Sequence, residues 1–249
     1  MANTIEPGIV PQRSDAEMKT RRELSALYRL VAHFRMTDLI DTHISARVPG
    51  THNHFLINRY GVMFHQITPD DLVKIDIDGH ALDAGDEHSQ RINAAGFTIH
   101  SAIHSARHDL ACVIHTHTAD GIAVACQQDG LLPITQHALR YYNRIGYHAY
   151  EGIALDLDER ERLIRNLGQH DAMILRNHGL LAAGRTIAHA FVNIHFLERA
   201  CQAQVKAMAG GGRLTFPSPE VCERTARQFE RPGSIEYCER AFVAAQRLL

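Results

Sequence analysis

The chain has 249 residues, 45% apolar and 22% charged, enough to bury the core of one large domain or two small ones. That composition excludes collagen-like, coiled-coil and disulfide-miniprotein classes. Its 26 Lys and Arg and 28 Asp and Glu leave a net charge of −2 without blocks of one sign, so nothing marks a nucleic-acid or anionic-lipid partner, and a small molecule or a protein is expected instead.

Met1 to Arg13 carries Glu6, Pro7 and Pro11 and no apolar run. It reads as a flexible N-terminus with no secretory or transit signal, and a cytoplasmic location is expected. Apolar stretches such as Gly121 to Cys126 fall far short of the ~20 residues of a membrane span, so no membrane insertion is expected. Ser14 with Glu17 three residues on is a capping-box signature, and Leu24, Leu27, Tyr28, Val31 and Phe34 continue it at helical spacing. Short β-branched runs follow over His43–Val48, His54–Ile57 and Leu72–Ile77, punctuated by Pro49-Gly50, Gly61 and Asp78-Gly79. Helical spacing returns over Ala94–Arg107 and delivers the chain into a compact apolar strand, Asp109–Thr116.

Short helices are expected over Ala119–Cys126 and Asp158–Leu167. Two apolar runs, Ala172–Leu175 and Leu180–Ala183, flank Asn177-His178-Gly179 as a hairpin with a histidine at its tip. A long helix, Thr186–Met208, ends in Gly210-Gly211-Gly212. The rest contains Pro217, Pro219 and Pro232 and a last helical stretch, Ile235–Leu249. The resulting expectation is an α/β, three-layer α/β/α domain over residues 14–212 with a mostly antiparallel sheet, and a helical appendage over 213–249. Five widely spaced cysteines without a CxxC pair read as reduced and buried, with no assigned chemistry.

Histidine is abundant, at 18 residues, so spacing has to choose among them. Residues i and i+2 of a strand share a face, which lets His115 and His117 of Ile114-His115-Thr116-His117-Thr118 aim at one point. His178 at the hairpin tip can add a third imidazole, and three neutral imidazoles with an open position suit a catalytic divalent-metal site. An HxH pair also arises by chance in a histidine-rich chain. Residue chemistry alone leaves the metal and structural readings level. His100 and His104, at i and i+4 of one helix, lack the Glu of an HExxH motif and read as packing or hydrogen-bonding residues.

The strings Asn93–His104 (NAAGFTIHSAIH) and Cys112–Thr118 (CVIHTHT) resemble the class II aldolase/adducin family, as do Gly130–Ile134 (GLLPI), Tyr150–Ile153 (YEGI) and Leu175–Leu180 (LRNHGL). The similarity runs in order over about residues 20–210. It implies that family's fold, and a divalent metal, most often zinc, on His115, His117 and His178. Mn, Fe and Co remain open, since three-histidine sites accept them too. The resemblance further implies a cyclic homotetramer with the site at a subunit boundary.

The departures narrow the chemistry. Sugar-phosphate members hold phosphate with small hydroxyl, Gly and Asn residues in three loops and carry a catalytic Glu. Here the loops read Asp41-Thr42-His43-Ile44-Ser45, Asn58-Arg59-Tyr60-Gly61 and Ala94-Ala95-Gly96, with Gly96 at the position of that Glu. A phosphorylated substrate is therefore disfavoured, and decarboxylation, which generates an enolate without proton abstraction, fits best. Tyr141, Tyr142 and His137 are the candidate acids for protonation. His43 and Arg59 are the candidate substrate contacts, the latter as a carboxylate clamp. The expected function is a metal-dependent carbon–carbon lyase on a small unphosphorylated oxo or hydroxy acid or aldehyde. The alternative is a non-catalytic, adducin-like assembly module, against which the sequence offers no long Lys-rich tail.

Overall fold

The structure is a computed structural model that describes residues 13–82, 92–153 and 158–249. Nearly all of the segment read as a flexible N-terminus, residues 1–12, lies outside the described residues. Helix α1 (Asp15–His33) starts where the sequence predicts, with the Ser14 hydroxyl accepting the Glu17 N–H at 3.1 Å. The Glu17 carboxylate does not turn back to close the box. It accepts from Arg21 and Lys74, each at 2.9 Å, and so ties α1 to the third strand.

Seven strands form one sheet, β1 (His43–Arg47), β2 (His54–Asn58), β3 (Leu72–Asp76), β4 (Cys112–Thr116), β5 (Gly146–His148), β6 (Ala172–Leu175) and β7 (Gly179–Gly184). Their order is β3-β2-β1-β4-β7-β6-β5, antiparallel throughout except for the parallel β5–β6 pair. Alternation along the strands builds the layers. Cys112, Ile114, Ile174, Leu180 and Ala182 join the core under α1 and α6 (Ile187–Ala209). Val113, Met173, Leu175, Leu181 and Ala183 pack instead against Ile99 and Ile103 of α2 (Ala94–Ala106) and Leu163 and Leu167 of α5 (Glu159–Leu167). Helices thus cover both faces, as the α/β/α expectation requires.

Elements not foreseen from the sequence are the four-residue α4 (Gln136–Leu139), β5, α7 (Pro219–Phe229), which begins at the Ser218 cap, and the 3-10 turns Phe64–Gln66 and Pro69–Asp71. The expected short helix after β4 is present as α3 (Ala119–Ala125). The last helix, α8 (Ser234–Gln246), packs on α6, and its Cys238 and Phe242 are buried in the main core.

Candidate metal centre

Register brings the site together. His115 lies on the same face of β4 as Val113, and His117 follows two residues later just beyond the strand end. The β6–β7 hairpin turns through Asn177, whose φ of +56° is one that asparagine tolerates, and presents His178 beside them. Gly179 makes the approach feasible, because a Cβ there would meet the Thr116 carbonyl oxygen at 2.4 Å. The three Nε2 atoms converge, 2.7 Å between His115 and His117, 3.0 Å between His117 and His178, and 3.2 Å between His115 and His178.

The outer nitrogens decide what those atoms can do. His115 Nδ1 lies 2.9 Å from the Leu180 carbonyl oxygen and His117 Nδ1 lies 3.1 Å from Asp38 Oδ2. Both partners only accept, so each Nδ1 carries the proton and each Nε2 offers a lone pair. Burial, reinforced by His43, His178 and His117, holds His115 well below the ordinary histidine range. Burial, with His117 and His148, brings His178 down to about 4. Two facing lone pairs 2.7 Å apart repel unless they share a cation, so the donor set fits a divalent ion with three imidazole ligands. Nitrogens bound at about 2.0–2.1 Å to one tetrahedral ion stand about 3.3 Å apart, so the 3.2 Å pair already matches and the 2.7 Å and 3.0 Å pairs need only open by a few tenths of an ångström.

The triad opens on a cavity of about 620 Å³ whose wall also includes Asp38, Asp41, His43, Tyr60, Asn93 and Tyr150. Of the two expected substrate contacts, His43 lines this cavity, directly across the β1–β4 ladder from His115. Arg59 does not line it. Its guanidinium donates to Asp71 at 2.6 Å, an ion pair within its own loop.

The three expected acids also lie elsewhere. The Tyr141 hydroxyl is buried and donates to the Asn193 carbonyl at 2.5 Å, in the wall of a second cavity lined by Arg107, Arg140 and Arg144. His137 stacks on Phe196, and Tyr142 is absent from the walls of either cavity. The phenol beside the triad is instead Tyr150, whose ring lies 6.3 Å from that of His178. It sits in the YEGI string, but nothing in its spacing ties it to histidines distant in sequence. Gly96 has no room for a carboxylate, since a Cβ there would come within 2.6 Å of His43 Cδ2.

Known proteins share this fold. The family model described as the Class II Aldolase and Adducin N-terminal domain matches residues 22–205, and the chain belongs to that family. A solved aldolase II superfamily protein from Pseudomonas syringae superposes with a TM-score of 0.86 at 51% identity, covering 94% of each chain. An L-fuculose 1-phosphate aldolase from Glaciozyma antarctica superposes at 0.83 with 25% identity, over 98% of this chain and 94% of that one. Rat alpha-adducin is 41% identical over 197 residues, 79% of this chain but only 26% of adducin. The family thus contains both aldolases and adducins. Among the described residues, no helix is long and apolar enough to cross a membrane.

Proposed function

We propose that the protein is a divalent-metal-dependent lyase that breaks a carbon–carbon bond in a small unphosphorylated oxo or hydroxy acid or aldehyde. The observation that carries this reading is the convergence of three Nε2 lone pairs within 2.7–3.2 Å on the wall of a substrate-sized cavity. A divalent cation held by His115, His117 and His178, zinc first and manganese, iron or cobalt as alternatives, supplies a Lewis acid for the charge left by bond cleavage. Asp38 keeps His117 in the tautomer that serves as a ligand. Gly96 supplies no carboxylate base, which favours decarboxylation of a 3-oxo acid, in which carbon dioxide leaves and the electrons of the broken carbon–carbon bond pass into the carbonyl next to the carbon left behind, giving an enolate. The resulting carbon then needs one proton, for which the Tyr150 phenol, on the wall with its ring 6.3 Å from that of His178, is the candidate.

The reading extends to a cytoplasmic homotetramer with this cavity at the subunit boundary. Its rim supports that arrangement, since Tyr60, Tyr150 and Ile153 are 42%, 54% and 73% exposed in the single chain. The likeness to alpha-adducin and the missing carboxylate favour a second reading, a non-catalytic assembly module.

A panel of oxo and hydroxy acids offered to the metal-loaded protein, with carbon dioxide and aldehyde release as readouts, separates them. The expected result is turnover of at least one acid, lost in His178→Ala, and none of L-fuculose 1-phosphate or ribulose 5-phosphate. Cleavage of either phosphate ester contradicts the unphosphorylated class. Full metal occupancy with no turnover of any acid favours the assembly module.

A further inference from the structure

Between β1 and α2 lies a row of buried polar side chains that metal binding leaves unused. His43 Nδ1 is 2.8 Å from His100 Nε2, His100 Nδ1 is 2.6 Å from Ser45 Oγ, and Ser45 Oγ is 2.7 Å from His104 Nε2. The row ends at Arg47, whose Nη2 lies 3.4 Å from His104 Nδ1 and donates to the His104 carbonyl at 2.7 Å. His43 is 2% exposed and Ser45, His100 and His104 are 0% exposed, so water cannot complete these bonds and each proton must be placed within the row.

The protons have one consistent order. A guanidinium only donates, so His104 Nδ1 accepts and the His104 proton sits on Nε2, facing Ser45. Ser45, accepting there, gives its own proton to His100 Nδ1. His100 then carries its proton on Nε2 and donates to His43 Nδ1. The remaining His43 proton is therefore on Nε2. That nitrogen has no hydrogen-bond partner among the described residues; it lies against Gly96, whose Cβ, if present, would come within 2.9 Å of it, and belongs to a ring that lines the cavity.

We propose that His43 presents a fixed, neutral Nε2–H to the metal cavity as a hydrogen-bond donor to a substrate oxygen, and that the row His100–Ser45–His104–Arg47 sets this tautomer. The ligand class is an oxo or hydroxy acid whose carboxylate or enolate oxygen accepts the bond. This rests on the cavity being the substrate site. His43 keeps its proton throughout, because Arg47 cannot refill the row and release would leave an imidazolate. A neutral imidazole can stabilise developing negative charge on oxygen in this way. Gly96 belongs to the same device, since any larger residue would push the ring from its place.

The test is ¹⁵N–¹H NMR of the histidine rings in the full chain at neutral pH, with pyruvate binding to the metal-loaded protein measured in parallel. Wild-type protein is expected to show His43, His100 and His104 all protonated at Nε2 only. Ser45→Ala should leave His43 in mixed tautomers. His43→Phe should weaken pyruvate about tenfold, the value of one hydrogen bond to a charged group, with metal content unchanged. His43→Gln, which retains an N–H, should recover part of the loss. A proton on His43 Nδ1 in wild-type protein overturns the proposal whether or not any variant folds, and so does equal pyruvate affinity in wild type and His43→Phe. No pyruvate binding by metal-loaded wild type with the Nε2 tautomer intact overturns instead the substrate reading of the cavity, and with it the donor role.

Discussion

Gly96 and His43 compete for one volume, and their contact explains why a catalytic carboxylate cannot simply be restored. A Cβ on residue 96 would lie 2.6 Å from His43 Cδ2, so Gly96→Glu should destabilise the fold by about 1–3 kcal/mol, measured from the urea midpoint. In a His43→Ala background the same substitution should cost less, because the obstructing ring is gone, and the two changes should deviate from additivity by about 1 kcal/mol. Strict additivity would show that the contact carries no strain. The histidine cluster was legible because its spacing is local, His115 and His117 two apart and His178 beside a turn glycine, although it took the family resemblance to favour a metal on it. Tyr150, Asp38 and Asp41 were not, since only the closing of loops far apart in sequence brings them to the same wall. The structure places Arg59 and Tyr141 away from that wall, and their partners, Asp71 and the Asn193 carbonyl, are visible only in three dimensions.

Helix α1 is locked to the sheet by a buried charge cluster as well as by Leu24, Leu27 and Val31. Arg21, 0% exposed, donates to Glu17 at 2.9 Å and to the Leu72 carbonyl at 2.7 Å. Removing it leaves Glu17 with Lys74 alone and the Leu72 carbonyl without its donor, and Arg21→Met should cost about 1–3 kcal/mol by chemical denaturation. Burial alone would raise the Glu17 pKa, but hydrogen bonds and charge from Lys74 and Arg21 outweigh it, and the group sits below the ordinary carboxylate range. Its contribution is therefore complete above the unfolded value, about 4.3, and disappears as pH falls through the lower folded value. Glu17→Gln should flatten the acid limb of the stability curve in that window. An unchanged acid limb would contradict the assignment. Long periodic elements such as α1, α2 and α6 were readable from spacing. Strand β5, three residues long, was not, because its place comes from parallel pairing with β6. Helix α7 did carry a signal, Ser218-Pro219-Glu220 with Cys222 and Ala226 one turn apart, masked by the density of prolines.

Over the whole molecule, the sheet joins two differently used ends. One carries the histidine cavity with its exposed apolar rim. The other carries a cavity of about 400 Å³ in which two arginines are engaged by carboxylates, Arg107 by Asp109 and Asp171 and Arg144 by Glu223 and Glu230. If a neighbouring copy covers the rim, light scattering at micromolar concentration should give a tetramer, and Ile153→Asp should shift it toward smaller species. A monomeric wild-type mass would contradict the tetramer. The central claim is narrower than any of these, that His115, His117 and His178 hold one cation between them. Metal analysis of the purified protein, with X-ray absorption at the edge of the metal found, tests it most directly. The expected result is one divalent ion per chain with three nitrogen neighbours at about 2.0–2.1 Å for zinc, absent from the His115→Ala, His117→Ala double variant. Wild-type protein that takes up no ion, or a double variant that keeps it, would contradict the account.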